Sequence, residues 1–492
     1  MVKYNAYEGT GIVPNSVKWC SVSLSDVILH GNRLEASVYD IEAKQARQLI
    51  KNSKYPLTTI GGQNGLTTSY TCARFKRIWV EKSDLPIYQP SAITDIKPAP
   101  DGYLSHMTKT NINALRVKKG QVLMTCSGTI GRVAYVSDTL DHKIFSHDLL
   151  RIDCKKPSDG GYVYTYLKSK TGNKILLTNS YGAVITHIEA EHLALVPIPD
   201  APEKIKQKIH LLISKSYELR DLSNKMIDDA TRLLIDELKL PDLSEFEVHK
   251  DRSVNTFTIK LSEMNLRADA SYHMPVSNHI VNHMKKYAGE VTTIGDKRIS
   301  NKIVLAGVFK RTYVEEEYGY PFLGGKEITQ LNPVTEKYLS KAIHKFRYEK
   351  ELKVEENTIL ISDRGTIGTV AIVPKHWDGY AVSQNVLKLI PASNEIAGYI
   401  YIYLNSDYGK MLVRRQTYGA VVDMIDNHSL SAVPIPLLKS KKTQEEINKL
   451  ALEANQMRYK AYLYEKQALQ ILDEEVIYAK STTPKAPAVP PG

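Results

Sequence analysis

The chain has 492 residues, with 65 Lys and Arg against 54 Asp and Glu and a formal net charge of +11. Because a single hydrophobic core rarely grows beyond about 250–300 residues, this length predicts two domains. The hydrophobic fraction of 42% and the charged fraction of 24% are typical of a globular protein and exclude a disordered or collagen-like chain.

The cysteines and the N-terminus indicate the compartment. Cys20, Cys72, Cys126 and Cys154 are far apart and form no Cys-x-x-Cys pair, so the sequence predicts neither a zinc site nor a disulfide framework. No basic segment followed by an apolar run opens the chain, and no apolar stretch of about 18 residues occurs. We therefore expect a cytoplasmic protein without a membrane span.

The chain contains an internal repeat in which the second copy follows the first by about 235 residues. Several segments recur in the same order, and such collinearity is not expected by chance. Four of the matching pairs are Phe75–Glu81 with Phe309–Glu315, Gly128–Gly131 with Gly365–Gly368, Tyr181–Val184 with Tyr418–Val421, and Val196–Pro199 with Val433–Pro436. The repeat predicts two tandem copies of one unit with an internal pseudo-twofold.

Each copy begins with about 170 residues of short β-branched segments separated by Gly, Asn and Asp, a pattern typical of a β-rich domain with some helix. We call these domains head one and head two. A stretch without Gly or Pro follows each Val-Pro-Ile-Pro segment, at 204–240 in the first copy and at about 443–480 in the second. These stretches predict two long helices.

Both predicted helices carry a seven-residue repeat, which is typical of a coiled-coil seam. The large row of the first helix is Ile205, Leu212, Leu219, Met226, Leu233 and Leu240, and its mostly small row is Ile209, Ser216, Ser223, Ala230 and Glu237. The large row of the second is Leu450, Met457, Tyr464, Ile471 and Tyr478, and its small row is Ile447, Ala454, Ala461 and Ala468. We expect the helices to pair antiparallel, with large and small layers alternating. The alternative is that each helix packs on its own head.

The predicted fold is therefore α+β. The two heads are expected at 1–200 and 243–437, and the long helices at 201–242 and 438–480. The last segment, 481–492, is rich in proline and is expected to be a disordered tail.

Catalytic motifs are absent from the sequence. The Gly-Thr-Ile-Gly segments at 128–131 and 365–368 lack the pattern of a phosphate loop, so we interpret them as tight turns between strands. No His-Glu-x-x-His metal motif, Gly-x-Ser-x-Gly elbow or Asn-Pro-Pro-aromatic loop occurs. The sequence predicts a chain with no catalytic residues and no metal site.

Basic residues stand among aromatic ones at the same position of both copies. The cations in the first copy are Arg74, Lys76 and Arg77, and those in the second are Lys310 and Arg311. Lys and Arg neutralise phosphates, and an Arg fork can bind guanine in the major groove. The alternative is a strand with buried alternate residues and solvated charges.

Residues that read different bases should lie where the copies diverge most. The clearest such segment is Gln63–Tyr70 against Lys297–Lys302. Asn pairs with adenine, and Arg or Lys with guanine. The further candidates for DNA contact are Asn64, Tyr70, Lys297 and Arg298, together with Lys326 and Arg364 in loop-like sequence.

Two such heads, each followed by a long heptad helix, resemble the DNA-specificity subunit of type I restriction-modification systems. The resemblance covers about residues 32–478 and is carried by Leu123–Gly131, Leu360–Gly368 and the two Val-Pro-Ile-Pro segments. Members of that family commonly continue with Pro-Pro-x-x-Glu-Gln, whereas residues 200–204 and 437–445 differ here. These departures are consistent with a divergent branch of the family.

The resemblance implies that each head is a target recognition domain for one half of an asymmetric, bipartite site on double-stranded DNA. The antiparallel helix pair would set the spacer and dock methyltransferase (M) subunits, which bind S-adenosylmethionine and modify adenine. A restriction and translocase (R) subunit would complete the complex in defence against foreign DNA. The chain itself would be non-catalytic and hold no cofactor.

Two other functions remain open at this point. The first is a tandem protein-interaction adaptor that assembles through its helices and reads no DNA. The second is an enzyme with its own nuclease or methyltransferase site. Steeply salt-dependent binding to two short DNA sequences at fixed spacing distinguishes the specificity subunit from the adaptor.

Overall fold

The computed structural model describes residues 21–29, 32–182, 186–246, 256–264, 267–333, 337–419 and 422–479. The predicted tail at 481–492 and the ends of the matching segments Tyr181–Val184 and Tyr418–Val421 lie outside the described residues. The described residues form an α+β protein with two β-rich heads, each followed by a long helix, as the sequence predicts.

The first copy contains ten strands and seven α-helices in the described ranges. They are α1 Leu24–Leu29, α2 Ile41–Lys51, β1 Leu57–Thr59, β2 Thr67–Tyr70, β3 Trp79–Val80, β4 Pro86–Tyr88, β5 Gly102–Leu104, α3 Ile112–Leu115, β6 Val122–Thr125, β7 Val133–Tyr135, β8 Ile144–Phe145, β9 Leu149–Cys154, α4 Pro157–Lys168, α5 Lys170–Leu177, α6 Ala190–Ala194, β10 Pro197–Pro199 and the long helix α7 Glu203–Glu237.

The second copy contains the corresponding strands. Its elements are α8 Pro275–Tyr287, β11 Glu290–Thr293, β12 Ser300–Val304, β13 Tyr313–Val314, β14 Gly319–Leu323, β15 Tyr338–Ser340, α9 Lys341–Arg347, β16 Ile359–Ser362, β17 Val370–Ile372, β18 Ala381–Val382, β19 Val386–Pro391, α10 Asn394–Asn405, α11 Asp407–Arg415, α12 Asn427–Ser431, β20 Pro434–Leu437 and the long helix α13 Lys441–Leu472. A π-helical turn, Asp473–Ile477, continues α13.

The sheet topology confirms the repeat. In head one the strand orders are β1-β10, β2-β9-β6-β7 and β3-β5-β4-β8. In head two they are β11-β20, β12-β19-β16-β17 and β13-β15-β14-β18, which is the same arrangement strand for strand. Even the parallel pairing of β4 with β8 recurs as β14 with β18, among otherwise antiparallel neighbours.

The Gly-Thr-Ile-Gly segments are tight turns, as predicted. The first joins β6 to β7 and the second joins β16 to β17. Gly128 and Gly131 have φ angles of 70° and 82°, and Gly365 and Gly368 have 70° and 80°. Since L-residues with a side chain rarely adopt this left-handed region, the turn requires glycine at both ends.

The chain has 30 Tyr against 7 Phe, and several of these tyrosines belong to the scaffold. In head one the hydroxyls of Tyr162 and Tyr166 each donate to a carbonyl of the Pro-Ile-Pro strand at 2.6 Å. Tyr399 and Tyr403 of head two donate to the equivalent carbonyls at 2.6 and 2.7 Å. A buried hydroxyl needs a partner, so these bonds fix the helix of each head to the strand that precedes the long helix.

The chain divides into two compact units, and each long helix contributes to both. The first unit comprises the described residues of 1–93, 99–214 and 465–492, and the second those of 94–98 and 215–464. The short segment 94–98 is part of the second unit because Ile96 bonds Thr329 through its amide at 2.9 Å and Asn224 through its carbonyl at 2.8 Å. The sequence contains no signal for this segment.

The two long helices run antiparallel where they meet inside each unit. In the first unit Lys208 of α7 forms an ion pair with Glu475, beyond the end of α13, at 2.8 Å. In the second unit the Ser216 hydroxyl donates to the Ala461 carbonyl at 2.7 Å, and this bond is buried. Position numbers rise along one helix as they fall along the other, which confirms the predicted antiparallel pairing.

One of the two predicted seam rows is correct in each helix. The small rows are buried, with Ile209, Ser216, Ser223 and Ala230 at 0% exposure and Ile447, Ala454, Ala461 and Ala468 likewise, except that Glu237 at the end of α7 is half-buried. Stepping seven residues from the contact between Ser216 and Ala461 therefore places small residues opposite each other or opposite isoleucine. Close approach of the two backbones follows from this arrangement.

Most positions of the predicted large rows are wrong as seam positions, although Leu240 and Ile471 are buried. Residues such as Leu212 and Leu219 are only half-buried, and Tyr478 is 59% exposed. The second buried row lies one position further along each helix, at Lys206, Ile213, Ile227 and Leu234 in α7 and at Ala451, Arg458, Glu465 and Leu472 in α13. This row was missed because it contains charged residues that a search for apolar repeats leaves out.

Each long helix also packs on its own head. Antiparallel pairing and packing on the head, which the sequence left as alternatives, therefore both occur. The His210 ring nitrogen Nδ1 accepts from the Gly161 amide at 3.2 Å. At the equivalent place in the second copy, Asn448 Oδ1 accepts from the Gly398 amide at 2.8 Å. A helical glycine in each head lets the long helix approach its backbone.

Alanine at either docking glycine is expected to destabilise its unit. A Cβ atom at residue 161 would lie 2.5 Å from His210 Cα, and one at residue 398 would lie 2.4 Å from the Asn448 carbonyl oxygen. Because backbone must move to relieve these contacts, we expect Gly161→Ala and Gly398→Ala each to cost about 1–3 kcal/mol. Thermal unfolding measures the loss.

The control is Gly325→Ala, where the nearest atom to the new Cβ is 3.7 Å away. It should leave the unfolding temperature unchanged. Equal unfolding temperatures for all three variants would show that close docking at these glycines does not contribute to stability.

Candidate nucleic-acid interface

The basic segment of head one alternates between exposed and partly buried residues. Arg74 and Lys76 are exposed, whereas Phe75 is half-buried against the cluster formed by Leu85, Ile87 and Leu104. Arg77 is half-buried, with its guanidinium carbon 5.9 Å from the centre of the Trp79 ring. The alternation expected of a strand is present, and two cations still reach the surface.

His147 is the titratable residue next to this segment. Its ring meets Phe75 edge to face at 6.0 Å between centroids, and its Nε2 lies 3.3 Å from Asp148 Oδ2. Burial lowers the pKa of His147, and the charges of Arg77, Arg74 and Arg151 lower it further, while Asp148 opposes them. The imidazole is therefore neutral at neutral pH and lies in the field of three arginines.

Head two holds the equivalent arginine by a direct hydrogen bond. Arg311 Nη2 donates to Gln384 Oε1 at 2.7 Å, and Nε donates to the same oxygen at 3.3 Å. The Arg311 guanidinium carbon also lies 5.3 Å from the centre of the Phe322 ring. Gln384 occupies the position that corresponds to His147. The matching arginines have different neighbours, since Arg77 lies over the Trp79 ring and Arg311 bonds Gln384.

A second arginine of head two is linked to the first through one loop. Asn385, next to Gln384, accepts from the Asp363 amide at 3.3 Å through its carbonyl. Arg364 Nε lies 3.2 Å from the Asp363 carboxylate, whose pKa is raised by burial in spite of this neighbour. The predicted residues Arg311 and Arg364 are thus connected through Gln384, Asn385 and Asp363.

Lys326 is exposed at the turn that follows β14. A Cβ built on the preceding Gly325 would lie 3.7 Å from the Asn385 carbonyl. Lys326 therefore lies near the loop of Gln384 and Asn385, which also contacts Arg311 and Asp363. Lys310 is exposed one residue before Arg311.

The candidates from the divergent segments lie apart from these cations. Asn64 is exposed in the turn between β1 and β2, and its carbonyl accepts from Thr58 at 3.0 Å. Tyr70, which is 36% exposed, ends β2 opposite Arg151 on β9. Asn64 precedes β2, whereas Tyr70 ends β2 and therefore lies on the side of the strand from which the chain continues to the basic segment.

The matching turn in head two engages its own arginine. Arg298 donates to both oxygens of Glu290 at 2.7 and 2.9 Å and to Asp296 at 2.6 Å. These bonds lower the pKa of both carboxyl groups and raise that of Arg298. Lys297 beside it is exposed and lies 3.4 Å from the Asn301 carbonyl. Arg298 thus holds the turn closed in addition to any contact with DNA.

The sequence did not indicate that Gln384 positions Arg311 in head two, or that His147 lies against the basic segment of head one. His147 and Gln384 are unremarkable in the sequence, since a His and a Gln at matching positions indicate neither a metal site nor a catalytic one. The signal was their alignment at an offset of 237 residues, the same offset that relates Gly128 to Gly365. Heads that read different bases are expected to carry different residue types at such a position, as His147 and Gln384 do.

The described ranges also bear on metal sites, disulfides and membrane-spanning helices. In that part of the chain, no group of three or more His, Cys, Asp or Glu side chains is arranged to hold a metal ion. Cys72, Cys126 and Cys154 are free thiols, and Cys20 lies outside the described residues. None of the described helices is both long and apolar enough to cross a bilayer.

Comparison with known proteins was made by family model, by sequence and by structure. Residues 290–450 match the model of the type I restriction modification DNA specificity domain. This part of the chain is similar to that domain. The match runs from β11 into α13 and includes Arg311, Gln384 and the Gly365 turn. Head one repeats the strand order of the matched region.

No curated protein matches the chain significantly. A solved structure of a type I restriction-modification S subunit from M. genitalium is 14% identical, with 87% of this chain and 96% of that chain covered and a TM-score of 0.33. The HsdS subunit from Thermoanaerobacter tengcongensis is 13% identical, with coverages of 86% and 97% and a TM-score of 0.26. Scores this low carry no argument, so the assignment of the specificity domain rests on the family model.

Proposed function

We propose that this chain is the DNA-specificity subunit of a type I restriction-modification complex, in which each head reads one half of an asymmetric bipartite site. The observation that carries the proposal is the duplication of the specificity-domain topology, with an arginine of the Phe-Lys-Arg segment in the same place of both copies. One chain with a doubled unit provides the two half-site readers that a DNA-binding dimer obtains from two chains.

Two groups of residues are proposed to contact the duplex. The first comprises the clustered cations, which are Arg74, Lys76 and Arg77 in head one and Lys310, Arg311, Lys326 and Arg364 in head two. The second comprises the divergent residues Asn64, Tyr70, Lys297 and Arg298. Phosphate contacts position a protein on DNA and base contacts give it specificity, so the first group is assigned mainly to affinity, with Arg311 as a base reader.

The paired helices are proposed to set the unread spacer between the half-sites. Helix α7 has 35 residues, which corresponds to roughly 50 Å at 1.5 Å per residue. The exposed faces of the two helices would dock methyltransferase subunits, which bind S-adenosylmethionine and supply the catalysis. A nuclease and translocase subunit would join the same complex, and this chain would contribute no catalytic residue.

The domain boundaries predicted from the sequence are part of the proposal. Heads at 1–200 and 243–437 would be the reading modules, and the helices at 201–242 and 438–480 would belong to the spacer. Each helix is divided between the two compact units, so neither head is expected to fold well without both helices.

The full-length chain with its methyltransferase subunit should bind a duplex that contains two short sequences at fixed spacing, with affinity that falls steeply as salt rises. Mapping methylated adenines across a genome with and without this chain would give both half-sites. Salt-insensitive or absent DNA binding in the presence of the methyltransferase would contradict the proposal. It would favour the protein-interaction adaptor instead.

The spacer role is tested separately by inserting seven residues into both long helices at facing positions, so that the antiparallel seam stays in register. The insertion adds roughly 10 Å of helix, which corresponds to about three base pairs of DNA. We expect the spacer to lengthen while both half-sites stay the same. An unchanged spacer would show that the helices do not measure it.

DNA binding by head one is expected to strengthen as pH falls. Phosphate near Arg74 and Arg77 offsets the charges that lower the pKa of His147, so binding favours uptake of a proton by the imidazole. We expect severalfold tighter binding at about pH 6 than at about pH 8, measured by fluorescence anisotropy. Asp148, Arg151 and Phe75 face the same imidazole and are left unchanged.

The matched control is His147→Gln, which places the residue of head two at this position. It should bind DNA without this pH dependence. A pH dependence that persists in His147→Gln would assign the titration to another group.

A further inference from the structure

Each head exposes a large apolar side chain just beyond the strand that pairs with its basic segment. Met107, after β5, is 77% exposed, and Ile343, after β15, is 63% exposed. Exposed apolar residues are common singly, so exposure alone has no meaning. The repetition of the feature in two copies with different sequences is what needs an explanation.

The two side chains stand before buried residues of the same role, although Met107 is two residues beyond Ser105 and Ile343 is three residues beyond the matching Ser340. Ser105 accepts from the Met107 amide at 3.1 Å through its hydroxyl, and Ser340 accepts from the Ile343 amide at 3.4 Å in the same way. The next residue along is buried in each head, and it bonds the backbone of the basic segment. Thr108 accepts from the Ile78 amide at 3.4 Å, and His344 Nε2 accepts from the Thr312 amide at 3.2 Å.

The buried residue anchors the turn, and the apolar residue before it is therefore held outward. Thr108 and His344 are 6% and 7% exposed. An exposed lysine follows each of them, Lys109 in head one and Lys345 in head two. Both heads thus present the same order: an exposed apolar residue, a buried anchor and an exposed lysine.

Exposed aromatics lie on the strand that this turn bonds. Trp79 on β3 is 48% exposed and Tyr313 on β13 is 41% exposed. Head two adds Phe346, at 79%, on the same helix as Ile343. We call these surfaces apolar tips, defined as Trp79 with Met107 in head one and Tyr313, Ile343 and Phe346 in head two.

We propose that the apolar tips are DNA-contacting surfaces, in which Met107 and Ile343 enter a groove and touch the bases of the half-site that their head reads. The inference rests on the proposed function and names new contact residues for it. Apolar side chains recognise the thymine methyl group in the major groove and wedge between base steps in the minor groove.

Charge favours DNA as the occupant. Lys109 and Lys345 stand two residues beyond the tips, and the cations of the Phe-Lys-Arg segments lie on the chain just before Trp79 and Tyr313. Carboxylates are also present, since Asp84 pairs with His106 at 2.7 Å and Glu315–Glu317 follows β13. Because these repel phosphate, the backbone of the duplex is expected to approach from the lysine side.

The test uses the full-length chain with its methyltransferase subunit and a duplex that this complex selects from a random library. Met107→Ala and Ile343→Ala should each weaken binding roughly tenfold, the effect of leaving one large apolar side chain unburied. Each variant should lose discrimination at one half-site only. The salt dependence should not change, because no charge is removed.

Leu195→Ala is the matched control, since Leu195 is 70% exposed but its counterpart in the second copy is Ala432. It should bind the selected duplex as the unaltered chain does. Unchanged affinity in Met107→Ala and Ile343→Ala would overturn the inference and leave the proposed function standing. Failure to select any duplex would overturn the proposed function as well.

Discussion

Replacing Lys206 by methionine is expected to destabilise the first unit by about 3–5 kcal/mol. Lys206 lies in the first turn of α7, with its ammonium group 3.2 Å from Asp159 and 2.8 Å from Asp200. The side chains of Lys206 and Asp159 are 5% and 2% exposed. Methionine keeps the length of the side chain but leaves the Asp159 carboxylate buried without its cation.

The loss should be constant over neutral pH. Burial alone would lower the pKa of Lys206, but hydrogen bonds and charges from Asp200 and Asp159 outweigh it and raise the pKa above its ordinary value. A group with a raised pKa contributes its stability fully below the pKa of the unfolded chain and loses it as pH rises through the folded value. The difference between the two chains should therefore shrink in strongly alkaline solution.

Two controls separate the buried pair from a general effect of losing a lysine. The double variant Lys206→Met/Asp159→Asn should recover much of the stability, since the uncompensated charge is gone. Lys215→Met removes an exposed lysine that faces Glu218 at 3.2 Å, and it should cost less than about 1 kcal/mol. Urea unfolding measures all of them. Equal losses for Lys206→Met and Lys215→Met would contradict the assignment.

The repeat carried most of what the sequence could predict about the fold. Matching segments identified two heads, the long helices after each Val-Pro-Ile-Pro segment and the turns at Gly128 and Gly365, because these depend on local residue types. Antiparallel pairing of the helices was also predictable, since small residues recur every seven positions in both. All of these features need only the order of residues along the chain.

The second row of the seam was not predictable in this way. It contains Lys206, Arg458 and Glu465, which are buried because a partner elsewhere in the fold compensates each of them. Glu465 pairs with Lys168 of α4, and Arg458 lies 3.4 Å from the hydroxyls of Tyr401 and Ser223. Long-range partners decide such burial, and the heptad pattern contains no information about them.

The candidate site was predictable only in part for the same reason. The sequence indicated the repeated arginines Arg77 and Arg311 but not what holds them, because Gln384 is 73 residues from Arg311 along the chain. It also gave no sign that Glu290 and Asp296 engage Arg298. A side chain's orientation depends on neighbours that the fold supplies.

Arg311→Ala is expected to weaken binding to the selected duplex by about 10- to 100-fold and to relax specificity at one base pair. Its guanidinium is fixed by Gln384 and by the Phe322 ring, which leaves Nη1 and one hydrogen of Nη2 to face DNA. A guanidinium held in a fixed orientation suits the two acceptors of a guanine edge. Removing it should therefore reduce binding specificity at that base pair alone. Competition binding with duplexes altered one base pair at a time measures this effect.

Two neighbours separate base reading from charge. Lys310→Ala removes an exposed cation, so it should weaken all sequences equally and reduce the salt slope by about one. Gln384→Ala keeps the charge of Arg311 but frees its fork, so it should lose specificity at the same base pair while the salt slope stays the same. If Arg311→Ala instead behaved like Lys310→Ala, Arg311 would be a phosphate contact, and the Gln384 bond would serve stability alone.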